Sequence, residues 1–418
     1  MSWTVAPAPP GSAKGLPYPR FDRGRGRTAL LVSLFALGAV GSVGLIWLTA
    51  RAEESSVGAV ALALLLATVP VPFLVAAYLW LDRYEPEPRR FIAAALLWGA
   101  VVAPAFALLV QAILSPWQDE VPFSVLLTVV APLSEEFGKG LLCAIVLVRR
   151  RRFAGLLDGI IYAGLAGIGF AFTENVLYYS RAYAGTLIPD ISGPVVAANV
   201  FAARGIMSPF AHPFFTTATG VGIAVAVLTQ RRWLQVVAPL LGFAGAVGLH
   251  AAWNGSTLLW RGLGFLAVFA GFMVPLFALV GFLALRALRR QADVVRAALG
   301  DASRRGWVHP AEIHWLVRFG DRAAARRFAT RVAGKQAGAS LHTYQRAATE
   351  MALMHDRVLH GRAPADGVAR VTAHLERMHS WRPFVIMPPL ASVPLGAQPQ
   401  PPPPLSASPD RAEPAARA

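Results

Sequence analysis

Cysteine is almost missing from this chain. Cys143 stands alone among 418 residues, which excludes an intramolecular disulfide framework. Charge is scarce as well: Asp, Glu, Lys and Arg make up 15% of the residues, against roughly 25% in a typical soluble domain. That deficit excludes an ordinary cytosolic enzyme. No internal repeat of fixed period stands out. What fills the chain instead is apolar, 55% of it, with a mean hydropathy of +0.50. The apolar residues concentrate between Thr28 and Leu285, and most arginines lie on either side.

A helix needs about 20 apolar residues to cross a hydrocarbon core of roughly 30 Å. Eight stretches qualify: Thr28 to Ala50, Val57 to Leu81, Phe91 to Leu114, Val121 to Leu147, Leu156 to Tyr179, Gly205 to Leu228, Leu234 to Trp260 and Gly264 to Leu285. The first is too long for a signal-peptide core of about 7 to 15 residues, so it reads as an uncleaved span. The expected fold is therefore all-α: a polytopic membrane protein with about eight transmembrane helices and a small helical cytoplasmic C-terminal region. Its expected divisions are a disordered basic segment at 1–27, an eight-helix domain at 28–285, a basic helical region at 286–385 and a Pro/Ala-rich disordered tail at 386–418. The basic helical region is expected either as a small domain or as amphipathic helices on the inner leaflet.

Loop charge sets the orientation. Basic residues cluster before span one (Lys14 to Arg27) and after spans two (Arg83, Arg89, Arg90), four (Arg149 to Arg152), six (Arg231, Arg232) and eight (Arg286 to Arg296). The alternate loops hold only Arg51, Arg181, Arg204 and Arg261. The positive-inside rule then places both termini in the cytoplasm of a multi-pass cell-membrane protein. The net charge of +16 is absorbed by this arrangement and by the basic tail, so no nucleic-acid partner is expected.

Four spans carry residues that a bilayer disfavours: Glu135, Glu136 and Lys139; Glu174 and Asn175; His212; His250 and Asn254. A charge at a helix centre costs roughly 2.5–3.5 kcal/mol, and such residues are functional candidates by default. Spacing groups them. Glu135 and Lys139 are four apart and able to pair, Glu136 lies about 100° around the helix, and Phe170 with Glu174 and His250 with Asn254 repeat the four-residue step. Gly164, Gly167 and Gly169 would let their span pack closely against a partner. At about 1.5 Å per residue, Glu174, His212, Asn254 and His250 lie roughly 8, 10, 9 and 15 Å from the outer ends of their spans, and Glu135 and Glu136 about 20 Å. One polar cavity opening outward accounts for this shared depth.

Two carboxylates, two imidazoles and an amide suit hydrolysis. A carboxylate can take a proton from water, and an Asn with a His can donate hydrogen bonds to a tetrahedral oxyanion. The same set could hold a divalent metal, with Glu136, His212 and His250 as ligands and zinc the obvious ion. The residues leave both routes open. A thiol nucleophile at Cys143, seven residues after Glu136, or a serine dyad of Ser208 with His212 finds no supporting motif, and no His-Glu-x-x-His sequence occurs.

Here the chain resembles the PrsW-type intramembrane proteases, related to the CPBP family that includes the CAAX prenyl proteases. The matching pieces are Glu135-Glu136-x-x-Lys139, Phe170-x-x-x-Glu174-Asn175, His212 followed by Phe215, and His250-x-x-x-Asn254. The acidic, proline-bearing loop Asp82 to Pro88 also looks like the family's, and reads as a topological cap rather than a site. The resemblance implies membrane-embedded endopeptidase activity, with Glu135 and Glu136 activating water, His212, His250 and Asn254 as catalytic partners, and Lys139, Glu174, Asn175 and Phe170 in support. It implies a substrate that is a single-span membrane protein, such as an anti-sigma factor, cut on the extracytoplasmic side within the lipid bilayer. The glutamate mechanism requires no cofactor, although family members are often called metalloproteases. Two readings from other classes stand beside it: an ion-coupled transporter using the Glu/Lys/His cluster, and a non-catalytic membrane scaffold.

Overall fold

The computed structural model describes residues 57–389, except residue 118 and segments 149–154, 186–190 and 260–262, together with positions 36, 40 and 44. The expected span Thr28 to Ala50 thus lies almost wholly outside the described residues, as do the N-terminal segment and the tail from 390 onward. Six described helices are long and apolar enough to cross a membrane: α1 (Val57–Leu81), α2 (Arg89–Trp117), α4 (Leu156–Tyr183), α5 (Gly193–Leu228), α6 (Arg232–Ser256) and α7 (Leu263–Arg304). Between α2 and α4 lies α3 (Ala131–Val148), preceded by short helical turns from Phe123 to Val130. It corresponds to the expected fourth span but carries Glu135, Glu136 and Lys139 on one stretch, too much charge for an apolar span. Among the described residues, six candidate spans and this charged helix answer to seven of the eight expected stretches, and the first of the eight lies outside the described residues.

The chain divides into two compact units, one within Pro19–Leu288 and one built largely from Arg289 onward. In the first, α4 is central. No residue from Leu156 to Ser180 is exposed, because α1, α2, α3 and α5 all pack on it. Small residues make this possible. Ala63 and Ala67 of α1 recur one turn apart against Val176 and Tyr179 of α4, the small-residue packing by which membrane helices approach closely. A Cβ on Gly167 would lie 2.5 Å from Pro213 Cα, and one on Gly169 would lie 2.0 Å from Leu96 O. The glycines expected to meet one partner meet three: Gly164 lies against Tyr78 of α1, Gly167 against α5 and Gly169 against α2. By contrast α7 leaves Leu263, Leu266, Phe272, Phe277 and Phe282 exposed, as befits a helix whose solvent is lipid.

Besides one at Phe269–Met273 in α7, three π-helical turns interrupt the described helices, at Trp98–Val102, Leu126–Val130 and Ala202–Met207. A π turn disturbs the regular backbone ladder, and such turns recur at functional sites. Each of these three is tied here by a side chain: Thr173 Oγ1 donates to Ala100 O at 2.6 Å, Asn254 Nδ2 to Leu127 O at 3.0 Å, and Ser208 Oγ to Ala203 O at 2.7 Å. Trp98 Nε1 donates to Gly138 O at 2.9 Å and fixes α3 beside α2.

The second unit contains the end of α7, α8 (Pro310–Val317), α9 (Phe319–Leu359) and α10 (Gly367–Trp381). α9 is two helices in succession, broken where Gly334 takes φ +82°. Val295, Leu299, Leu316, Leu341, Met351 and Met378 are buried, so these helices pack on a core of their own. Glu312 is buried and satisfied on both oxygens, one accepting from Tyr344 and the other paired with Arg382, each at 2.5 Å.

Candidate active site in the helix bundle

The intramembrane polar residues converge. Lys139 is wholly buried, and its ammonium lies 2.5 Å from Glu136 Oε1 and 3.8 Å from Glu135 Oε2. The expected Glu135–Lys139 pair is therefore the longer of two, and the i,i+3 partner Glu136 holds the lysine. Glu136 is not left bare. Its Oε2 accepts from Thr216 Oγ1 of α5 at 2.9 Å, and its Oε1 lies 3.0 Å from His250 Nδ1 of α6. One carboxylate thus joins α3, α5 and α6, which offsets the cost of burying it.

The hydrogen bonds set the tautomers. Facing a carboxylate, His250 Nδ1 carries the proton, and Nε2 is left with its lone pair 3.7 Å from Glu135 Oε2. His212 is held from two sides: Nε2 lies 2.7 Å from Glu174 Oε2, and Nδ1 lies 3.2 Å from Lys139 Nζ and accepts from it. The two imidazoles stand edge to face with centroids 5.0 Å apart. Phe170 closes the cluster, its ring 4.2 Å from the lysine nitrogen, and Phe215 stacks on His250. Cation–π contact with Phe170 is favourable because the lysine is fully buried and so desolvated.

Glu135 differs from its neighbour. It is 7% exposed, and its Oε2 has no hydrogen-bond partner among the described residues. Ligand atoms of Glu135, His212 and His250 lie within 4.8 Å of one another. This donor set, two imidazoles and one carboxylate, is that of a catalytic zinc site, and the orphaned Oε2 is the kind of atom such an ion satisfies; His212 joins the set only by giving up the bond it accepts from Lys139. The expected ligand Glu136 is displaced from this triplet by Glu135, because its own oxygens are taken. The His250–Glu136 bond then has the form of an outer-sphere carboxylate orienting a ligand imidazole.

A small cleft borders the cluster at His212, with about 10 Å³ of space, room for about one water, and is lined also by Asn175, Arg204, Ser208 and Trp253. Residues 87–280 match the model of the PrsW family intramembrane metalloprotease. The PrsW-like region contains every residue of the cluster. Protease PrsW of Clostridioides difficile (strain 630) is 32% identical over 114 residues, which are 26% of this chain and 47% of that relative; the chain thus spans about half the length of the curated relative it matches. No solved structure matches.

Of the expected residues of the PrsW-like region, Glu135, Glu136, Lys139, Phe170, Glu174, His212 and His250 come together. Asn175 joins them through Arg204, whose Nε donates to Asn175 Oδ1 at 2.7 Å. Asn254 does not: its amide is turned to Leu127 O. Ser208 likewise donates to a backbone carbonyl rather than facing His212, and Cys143 is a buried packing residue. Sequence reasoning missed Thr216 and Arg204. Arg204 counts as a loop charge if the span begins at Gly205, but α5 begins at Gly193, so the arginine is inside. The signal was its spacing, eight residues before His212 on a continuous apolar stretch.

Proposed function

We propose that this protein is an intramembrane endopeptidase that hydrolyses a peptide bond of a membrane-anchored protein by glutamate-activated water. The observation that carries the reading is the asymmetry of the paired carboxylates: Glu136 is fully engaged, while Glu135 presents an unpartnered buried oxygen to His250 Nε2. The PrsW family match supports it.

In this mechanism Glu135 Oε2 accepts a proton from a water seated beside His250. The water oxygen bonds to the scissile carbonyl carbon, and the π pair of that carbonyl moves onto its oxygen. As the tetrahedral species collapses, the C–N bond breaks and the proton on Glu135 passes to the departing amine. Lys139 and Glu136 hold His250 and His212 in the tautomers this requires. A divalent metal, where bound, would be held by Glu135, His212 and His250, and would supply Lewis-acid polarisation and a more acidic water.

The substrate proposed is a single-span membrane protein of the anti-sigma-factor kind, and the orientation proposed from loop charge puts both termini in the cytoplasm and the cleft in the outer half of the bilayer. Full-length protein in proteoliposomes should cleave such a substrate, and Glu135→Gln and His250→Ala should not. Equal cleavage by both variants would overturn the active-site assignment. A strong chelator decides the metal, since undiminished turnover counts against it. Labelling of Ser115→Cys from outside intact cells, and of Arg231→Cys only after lysis, is expected; the reverse pattern overturns the orientation.

A further inference from the structure

Hydrolysis needs a donor for the negative charge that develops on the scissile carbonyl oxygen, worth about 10²–10³ in rate in known cases. The residue expected in that role, Asn254, is spent on Leu127 O. Lys139 is wholly buried between Glu136, His212 and Phe170. His250 donates through Nδ1 to Glu136. Arg204 is different. It borders the cleft beside His212, with its side chain 22% exposed. Along one edge its Nε donates to Asn175 Oδ1 at 2.7 Å and its Nη2 to Glu174 Oε2 at 2.5 Å. Its guanidinium carbon sits 4.2 Å from the Tyr178 ring, and Nη2 lies 3.5 Å from His212 Nε2. Nη1 has no hydrogen bond among the described residues.

Resting on the protease reading above, we propose that Arg204 is a catalytic residue, the oxyanion donor of this site. Asn175, Glu174 and Tyr178 clamp the guanidinium on one edge and one face, so the fork is oriented before substrate arrives. Nη1 then meets the carbonyl oxygen of a peptide bond entering the cleft. As water bonds to the carbonyl carbon and the π pair shifts to oxygen, the new negative charge falls against a fixed cation in a poorly hydrated setting, where it is held more strongly than in water. The chemistry selects a peptide or ester carbonyl as the reacting group.

The test separates this role from mere neutralisation of Glu174. A single-span reporter with a randomised extracytoplasmic juxtamembrane segment is reconstituted with full-length protein, and kcat and KM are measured for the wild type, Arg204→Gln, Arg204→Lys, Glu174→Gln and the Arg204→Gln/Glu174→Gln pair. Arg204→Gln should lower kcat about 10²–10³-fold with KM changed less than about threefold, and Arg204→Lys should recover part of the loss. In the Glu174→Gln background the same arginine substitution should cost a similar factor. If the double variant matches Glu174→Gln alone, Arg204 only balances a charge and the proposal falls. Wild-type cleavage with unimpaired Arg204→Gln also overturns it and leaves the protease reading intact. Absence of cleavage by the wild type, with Glu135→Gln indistinguishable from it, sinks the protease reading and this inference together.

Discussion

Two buried glutamates, Glu312 in one compact unit and Glu135 in the other, are treated differently. Glu312, in the second unit, is 5% exposed and occupied on both oxygens by Tyr344 and Arg382. Glu135, in the first, is 7% exposed and has one oxygen without a hydrogen-bond partner among the described residues. Equal burial thus accompanies opposite satisfaction. A buried carboxylate with every oxygen paired is a fastening; one left half-paired beside an imidazole is poised to exchange a proton.

The sharpest way to break this contrast is Glu135→Gln, expected to lower cleavage about 10²–10⁴-fold while the melting temperature in detergent barely moves. A variant that melts far below the wild type would make Glu135 a fastening too. Glu136→Gln should do what its neighbour does not: with Lys139 left buried and poorly paired, the fold should lose about 3–5 kcal/mol, read by thermal unfolding. Gly167→Ala follows, since its Cβ would fall 2.7 Å from His212 O; overpacking of this kind costs about 1–3 kcal/mol and should shift His212, so activity and stability fall together. Glu312→Gln should cost the second unit about 1–3 kcal/mol and leave kcat unchanged.

The smallest expected effect is one of pH. Burial raises the Asp82 carboxyl to about 7, and hydrogen bonds from Arg305 and His355 hold Asp301 below its usual 3.8. The signs are opposite. Folded Asp82 keeps its proton more tightly than the unfolded chain, so its contribution to stability is present at low pH and is lost as pH rises from about 4 to 7. Asp301 contributes above pH 4, and the contribution is lost on acidification below that. Melting curves of Asp82→Asn and Asp301→Asn against pH should each lose one of these slopes.

Rough helix position was legible among the described residues because hydrocarbon imposes a strong pattern: six of the expected stretches reappear as α1, α2, α4, α5, α6 and α7. The charged residues of α3 were equally visible as candidates. What hydropathy does not encode is which way a polar group turns. Glu135–Lys139 and Glu136–Lys139 are both allowed by helical spacing, and only the arrival of Thr216 and His250 from other helices settles Glu136 as the tighter partner. Asn254 shares a face with His250, yet the π turn at Leu126–Val130 offers it a carbonyl first. Arg204 was lost for a related reason, because an arginine beside an apolar run looks like a loop residue until the run is seen to continue past it.

α5 carries one more consequence. Between Ser208 and Phe210 its helical hydrogen bonding lapses, and Pro213 cannot donate to the carbonyl of Pro209. Lipid cannot satisfy such a group, and Arg204 adds its own insertion penalty. By itself this helix is a poor passenger in a bilayer. Its residence there depends on α4, which brings Glu174 and Asn175 to the arginine, and on α3, which brings Glu136 to Thr216. Biogenesis is thereby coupled to assembly: α5 is held by α3 and α4, made before it, and by α6, made after it, so the polar cluster is complete only once α6 has brought His250 to Glu136.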